Sequence, residues 1–260
     1  MLLMLNTFLC RLAASTIFLY NSVVRALRHK PQIILFSATF PPHVWKFAEL
    51  LVPPPYFKLR MERKKLTVEG IKQVYINCGR PENRINVLSK IMDNVKMNGQ
   101  LIIFVQTRHG ADELAHMLRS SSWKPSVIYG GNEMSPAARD KTLKEFVEGR
   151  SKVLIATNVL ARGIDIKSVM MVLNYDLPLD KSNKPDYETY LHRIGRSGRF
   201  GRKGLAVSFV YDEKTKRQIL DIGAYYQKEI EEIKNTDEDI FRLNKIMKTI
   251  ELVKVKEDED

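Results

Sequence analysis

Eleven consecutive residues, His192-Arg193-Ile194-Gly195-Arg196-Ser197-Gly198-Arg199-Phe200-Gly201-Arg202, hold four arginines and three glycines. A hydrophobic core has no use for that composition. Arginine keeps its charge, and its planar fork of donors matches phosphate oxygens in pairs. The glycines let backbone and ligand approach closely, and they permit a turn that aims Arg196 and Arg199 in one direction. This pair is read as meeting a triphosphate. A solvated basic loop that happens to contain glycine would show the same letters.

Further polar segments follow apolar runs. They are Ser37-Ala38-Thr39, Gln106-Thr107-Arg108, Gly130-Gly131 and Thr157-Asn158-Val159-Leu160-Ala161-Arg162-Gly163-Ile164-Asp165. Asp165 stands where an apolar residue would pack equally well. Its carboxylate could accept from a ribose hydroxyl, or cap the Arg162-Gly163 turn. Ser37 to Thr39 could bridge neighbouring loops, or simply mark a strand-to-helix turn. His192 is expected to make interdomain hydrogen bonds in preference to moving protons.

Something must bring these segments together, and the patterning supplies it. Gln32 to Phe36 reads as a short buried strand, and Pro41 and Pro42 open a helix that runs to Leu51. Strands are expected at Val74 to Ile76, Leu101 to Val105, Val127 to Tyr129, Val153 to Ala156, Val169 to Leu173 and Leu205 to Val210. Helices alternate with them. One carries Ile85, Leu88, Ile91, Met92 and Val95 on one face, another follows the cap Ser135-Pro136, and the last shows Ile219, Ile222, Tyr226, Ile230 and Ile233 at helical spacing. This alternation predicts an α/β fold: an open parallel sheet with helices on both faces, whose ligands gather beyond the carboxyl ends of the strands. The polar segments sit at those ends.

The chain has 260 residues, 44% hydrophobic and 28% charged, as an ordinary globular protein does. Its net charge of +12 favours a polyanionic partner. Nucleic acid fits better than a membrane surface, because the basic residues are interleaved with α/β patterning and are not gathered on one amphipathic helix. Cys10 and Cys78 lie far apart without metal-ligand spacing, which suggests a reduced compartment, no disulfide framework and no zinc. Residues 1–28 contain no acidic residue and hold a broken apolar stretch from Leu12 to Val24, too short for a membrane span. They read as a targeting-like segment, a remnant of an upstream domain, or an artefact of where the reading frame opens, the last two being favoured. The remaining organisation is expected as residues 29–56 from one domain, 57–70 a linker, 71–235 the main domain, and 236–260 a C-terminal helix and acidic tail.

In their order, Ser37-Ala38-Thr39, Thr157 to Asp165 and His192 to Arg202 resemble the later motifs of the DEAD-box RNA helicases, and the likeness extends over about residues 31 to 250. The resemblance implies a RecA-like fold preceded by a fragment of a second RecA-like domain, and an ATP-dependent RNA helicase activity. It implies that Gly163 and Asp165 contact the nucleotide, that Arg196 and Arg199 act as arginine fingers on the γ-phosphate, and that Ser37, Ala38, Thr39 and His192 couple the two domains. Thr107, Arg108, Gly130, Gly131, Thr157 and Arg162 would then form a track for sugar and phosphate contacts on RNA. No aromatic platform accompanies them, so reading of base sequence is not expected.

The segment Asn174-Tyr175-Asp176-Leu177-Pro178, with the long stretch Leu179 to Asp186 before Tyr190-Leu191-His192, resembles the mRNA-export branch of the family, as does Val44-Trp45-Lys46-Phe47-Ala48. That branch implies single-stranded RNA, ATP with Mg2+, an export activator with inositol hexakisphosphate and a nucleoporin as partners, no membrane, a monomer, and residence in cytoplasm and nucleus at the nuclear pore. The sequence also departs from the family. It has neither Gly-x-x-x-x-Gly-Lys-Thr nor Asp-Glu-Ala-Asp, so the phosphate cradle and the magnesium carboxylates are missing from these 260 residues. By itself the chain is expected to bind RNA weakly, ATP very weakly, and to hydrolyse little or none. The alternative is a non-catalytic module that binds RNA or a protein partner.

Overall fold

The computed structural model describes residues 33–35, 42–52, 54–59, 70–94, 99–121, 123–130, 133–158, 166, 168–198 and 203–257. Residues 1–28, Val95 and most of the expected linker 57–70 lie outside them. The chain divides into two compact units, Met1–Glu62 and Arg63–Asp260. In the first, α1 (Pro42–Leu51) begins at a proline, whose missing donor costs nothing in a first helical turn. Residues 33–35 are half-buried and form no strand, contrary to the expectation for Gln32 to Phe36. Among the described residues of this unit there is no second strand to pair with them, and an unpaired strand leaves its backbone groups unsatisfied.

The second unit is built on a seven-stranded sheet in which every adjacent pair is parallel. Its strands are β1 (Ile71–Asn77), β2 (Gln100–Phe104), β3 (Ser126–Ile128), β4 (Val153–Ala156), β5 (Val169–Asn174), β6 (Gly204–Val210) and β7 (Glu231–Ile233), in spatial order β3-β4-β2-β5-β6-β1-β7. The helices are α2 (Arg84–Asn94), α3 (Arg108–Ser120), α4 (Pro136–Val147), α5 (Tyr187–Ile194), α6 (Glu213–Tyr226) and α7 (Asp237–Glu257). Successive strand residues point to opposite faces, so continuous apolar runs mean burial on both sides. Leu101 and Ile103 join the core that Leu88, Leu114 and Leu243 cover from α2, α3 and α7. Ile102 and Phe104 face the other way, in a cluster with Phe146 of α4. Tyr75, Ala206 and Val210 meet Tyr190, Ile194 and Ile222 from α5 and α6.

The last stretch of helical spacing is broken where the sequence suggested continuity. α6 stops at Gln227, which takes a left-handed conformation at φ 53°, and Lys228 N–H returns to the Gly223 carbonyl at 2.9 Å. A Cβ on Gly223 would sit 2.8 Å from the Lys228 carbonyl, so glycine permits the reversal. Ile230 and Ile233 therefore leave the helix, and Glu231–Ile233 becomes β7 at the sheet edge beside β1. α7 then lays Ile240, Leu243, Met247 and Ile250 on the core, with Asn244 donating to the Asn94 carbonyl at 2.7 Å. Among the described residues no helix is long and apolar enough to cross a membrane.

Cys78, just beyond β1, is buried, and burial pushes its thiol up to about 12 from an ordinary value of 9.0. Burial also raises the Tyr75 and Tyr187 phenols to about 12 from 10.0, helped by the carboxylates of Glu232 and Asp221 that accept their protons. The folded state holds these protons more tightly than the unfolded chain does. Their contribution to stability is therefore complete below pH 9 and is lost as pH rises toward 12, at up to about 1.4 kcal/mol per pH unit for the buried thiol. Urea midpoints measured from pH 7 to 11 should stay level to about pH 9 and then fall. Cys78→Ala should delay the onset toward the tyrosine range, and an unchanged onset would show that the buried thiol is not its origin.

Candidate functional site

The carboxyl ends of β2, β4 and β5 open onto one edge of the sheet, and α5 is tied to that edge by a buried cation. Arg193 is 0% exposed. It donates through Nε and Nη2 to Asn158 Oδ1 at 3.2 and 2.5 Å, and through Nη1 to Asn174 Oδ1 at 3.1 Å and the Asp176 carbonyl at 2.7 Å. Its guanidinium also lies 4.9 Å from the centre of the Phe104 ring. Burial lowers its pKa, against the charges of Asp176 and Asp186 that hold the proton on. One side chain thus gathers the ends of three strands. Asn174 extends the network by donating to Ser208 of β6 at 3.2 Å.

Asp176 is the second junction. One carboxylate oxygen accepts from Arg84 Nη1 at 2.6 Å, and the other accepts the Gln106 N–H at 2.9 Å. The Arg84 guanidinium packs over the rings of Tyr175 and Tyr211, at 4.4 and 4.7 Å. This ion pair is largely withdrawn from water, with side-chain exposures of 17% and 24%, so solvent screens it less than an ordinary surface pair.

α5 itself is placed by its cap. Asp186 accepts from the Thr189 N–H at 2.9 Å and the Thr189 hydroxyl at 2.6 Å. The long stretch before it is folded back on itself, with Leu179 bridged to Pro185 and Asp180 accepting from the Ser182 and Lys184 amides at 2.7 and 3.0 Å. At its other end α5 tightens into turns, with Arg196 N–H reaching the Arg193 carbonyl and Ser197 N–H the Ile194 carbonyl, both at 3.0 Å. Gly198 follows at φ 64°. The start of β6 presses against this turn: a Cβ on Gly204 would lie 2.6 Å from the Gly198 nitrogen and 2.7 Å from Ser197 Oγ. A side chain there would push the basic segment off the sheet.

The residues singled out in the sequence occupy this edge unevenly. Arg196 is buried and donates through Nε to the His192 carbonyl at 2.9 Å, and His192 is itself buried on α5. Thr107 caps α3, its hydroxyl accepting the Gly110 N–H at 3.0 Å, and so has a structural duty beside any ligand contact. Arg108 is paired with Glu133 at 2.9 Å on the surface. Gly130 follows β3, and Thr157, directly after β4, donates its N–H to the Ile128 carbonyl at 3.2 Å. Ser37, Ala38, Thr39, Gly131, Arg162, Gly163, Asp165 and Arg199 lie outside the described residues.

Arg193, Asp176, Arg84, Asn158 and Asn174 carry this frame, and none of them was singled out in the sequence as a site residue. The signal for two of them was present: Asn174 ends a run of buried apolar residues in β5, and Arg193 falls between Leu191 and Ile194 on a helix that buries both.

Residues 83–201 match the model of the helicase conserved C-terminal domain. The ATP-dependent RNA helicase DBP5 of Debaryomyces hansenii is 45% identical over 228 residues, which cover 88% of this chain and 45% of that protein. The chain spans about half the length of the curated relatives it matches. Among solved structures, S. cerevisiae Dbp5 bound to RNA and ADP BeF3 superposes with a TM-score of 0.78 at 40% identity, over 88% of this chain and 57% of that one. A variant of the same protein bound to Nup159, a Gle1 variant, IP6 and ADP gives 0.68 at 37% identity, over 88% and 57%. The isolated C-terminal domain of the DEAD-box protein Dbp5 is covered over its whole length, with 71% of this chain, at 42% identity and a TM-score of 0.63. The all-parallel sheet, the Arg193 of the basic glycine-rich motif fastened to its carboxyl edge and these likenesses agree: the chain belongs to the DEAD-box RNA helicases and carries their C-terminal RecA-like domain.

Proposed function

We propose that this chain is the C-terminal part of an ATP-dependent RNA helicase, in whose complete form two RecA-like domains close on ATP and single-stranded RNA and remodel RNA–protein complexes during mRNA export. The observation that supports this reading best is the Arg193 network. It joins the segments after β4 and β5 to the helix that leads into Arg196, so that a phosphate-facing turn and an RNA-facing edge share one frame. In this reading, Arg196 and Arg199 serve as fingers on the γ-phosphate. Gly163 and Asp165 contact the nucleotide. Thr107, Arg108, Gly130, Gly131, Thr157 and Arg162 follow the RNA backbone, while Ser37, Ala38, Thr39 and His192 link the domains.

Magnesium would neutralise charge on the transferring phosphates. Among the described residues no group of three or more His, Cys, Asp or Glu side chains could hold a metal, and this chain's own part is to place arginines and amides around the phosphates. By likeness to the Dbp5 complex with Nup159, Gle1 and IP6, the whole protein would act with an inositol hexakisphosphate-dependent activator and a nucleoporin at the nuclear pore, between nucleus and cytoplasm. A non-catalytic module that binds RNA or a partner is the second reading.

Fluorescence anisotropy with a labelled single-stranded RNA tests the core of the proposal. The chain should bind uridine-rich and mixed sequences alike, and a salt series should weaken binding with a slope of about −0.7 per phosphate contact. No binding at low salt would refute the RNA assignment. ATP hydrolysis by the chain alone would count against the non-catalytic reading.

A further inference from the structure

We propose that Asp176 is a positioning residue that sets the Thr107–Arg108 turn and the Arg193 helix relative to each other; its consequence for RNA rests on the function proposed above. Asp176 touches both parts. Its carboxylate accepts the Gln106 N–H at 2.9 Å, immediately before Thr107, and its carbonyl accepts Arg193 Nη1 at 2.7 Å. Its own amide is fixed too, reaching the Phe104 carbonyl at 3.2 Å, so the residue is held at N–H, carboxylate and C=O.

A capping role alone does not account for this arrangement. The Gln106 amide belongs to an exposed residue and could be satisfied by water. It is instead paired with a carboxylate recruited 70 residues along the chain and neutralised by Arg84, which is in turn clamped between Tyr175 and Tyr211. A charge-assisted bond of this kind narrows the range of the Gln106–Arg108 backbone more than a water would. If the turn moves, the carboxylate and the peptide unit that holds Arg193 move with it. The two candidate ligand-facing segments are therefore mechanically linked through a single residue.

Asp176→Asn separates the functions of the two groups. It keeps the backbone carbonyl that holds Arg193, but an amide offers one acceptor oxygen and cannot serve both Arg84 and the Gln106 N–H as the carboxylate does. Two measurements on this chain decide the matter. In amide hydrogen exchange without ligand, Asp176→Asn should speed exchange at Gln106 about tenfold, the order expected for losing one charge-assisted bond, while β2 and β5 stay protected. Unchanged exchange at Gln106 overturns the proposal. So does uniform loss of protection across the sheet, which marks a merely structural role.

The second measurement is a double-mutant cycle in single-stranded RNA affinity. If Asp176 acts through the turn, Asp176→Asn and Thr107→Ala should weaken binding non-additively, whereas Asp176→Asn and Lys152→Ala, at the opposite end of β4, should add. Additive losses in the first pair overturn the coupling. Wild-type chain that binds no RNA refutes the proposed function instead, and the exchange result then decides the positioning role.

Discussion

Arg193→Met is expected to lower the stability of the folded chain by about 3 kcal/mol, roughly a fall of 6 to 12 °C in melting temperature for a unit of this size. Methionine keeps much of the buried stem and loses every donor. Two acceptors, the Asn174 side chain and the Asp176 carbonyl, then lose the donor they faced, at about 1 to 3 kcal/mol each. Asn158 is exposed and can turn to water, so its loss adds little. Removing a buried charge also removes its desolvation penalty, which works in the variant's favour. The orphaned acceptors prevail because Asp176 and Asp186, the carboxylates whose charges act on Arg193, gain nothing from its removal and lose an attraction, although Asp176 retains Arg84. Arg193→Lys keeps the charge but not the fork, and it should fall between the two. Urea denaturation followed by circular dichroism measures all three. A Met variant within about 1 kcal/mol of the parent, close to the range of a surface substitution, would show that Arg193 does not bind the edge together.

The same residue shows how far the sequence could be read. The class of sheet was legible because its strands are buried on both faces, and a run such as Leu101 to Phe104 has no other simple explanation. The Ser135 cap was legible for a local reason: its hydroxyl accepts the Ala138 N–H three residues on, at 3.2 Å. Contacts of that range are written in the spacing. Arg193 was hidden inside a motif whose composition points to an anion and in which attention falls on the pair Arg196 and Arg199. Its actual partners lie 35, 19 and 17 residues away, at strand ends whose juxtaposition depends on the spatial order of the sheet. Sequence periodicity does not carry that order. β7 escaped notice for a comparable reason. Ile230 and Ile233 keep helical spacing with Ile219, Ile222 and Tyr226, and only the left-handed Gln227 and the close approach at Gly223 reveal that the helix has ended.

Arg196→Ala is expected to reduce RNA-stimulated ATP turnover by about 10³-fold or more in a form of the protein that carries both RecA-like domains, since an arginine finger is worth about 10³ to 10⁵ in kcat. The structure gives two reasons to expect so large a loss with so little damage to the fold. Arg196 sits just past the end of α5, after Gly195, outside the helix itself. Its Nε is committed to the His192 carbonyl, which fixes the plane of the fork before any ligand arrives. Loss of this bond at the His192 carbonyl should itself contribute about 1 kcal/mol to the variant's stability cost. Arg196→Lys should recover little turnover, because an ammonium is a point charge without the planar pair of donors. Arg199→Ala should give a loss of similar size. The double variant should be scarcely worse than either single one, as expected of groups that act as a unit on one transition state. Single-turnover hydrolysis, with RNA affinity and melting temperature recorded for each variant, separates failed chemistry from failed binding or folding. Turnover at the parent rate in Arg196→Ala would end the finger assignment, and a loss that merely follows a weakened RNA affinity would move Arg196 from the nucleotide to the RNA side of the site.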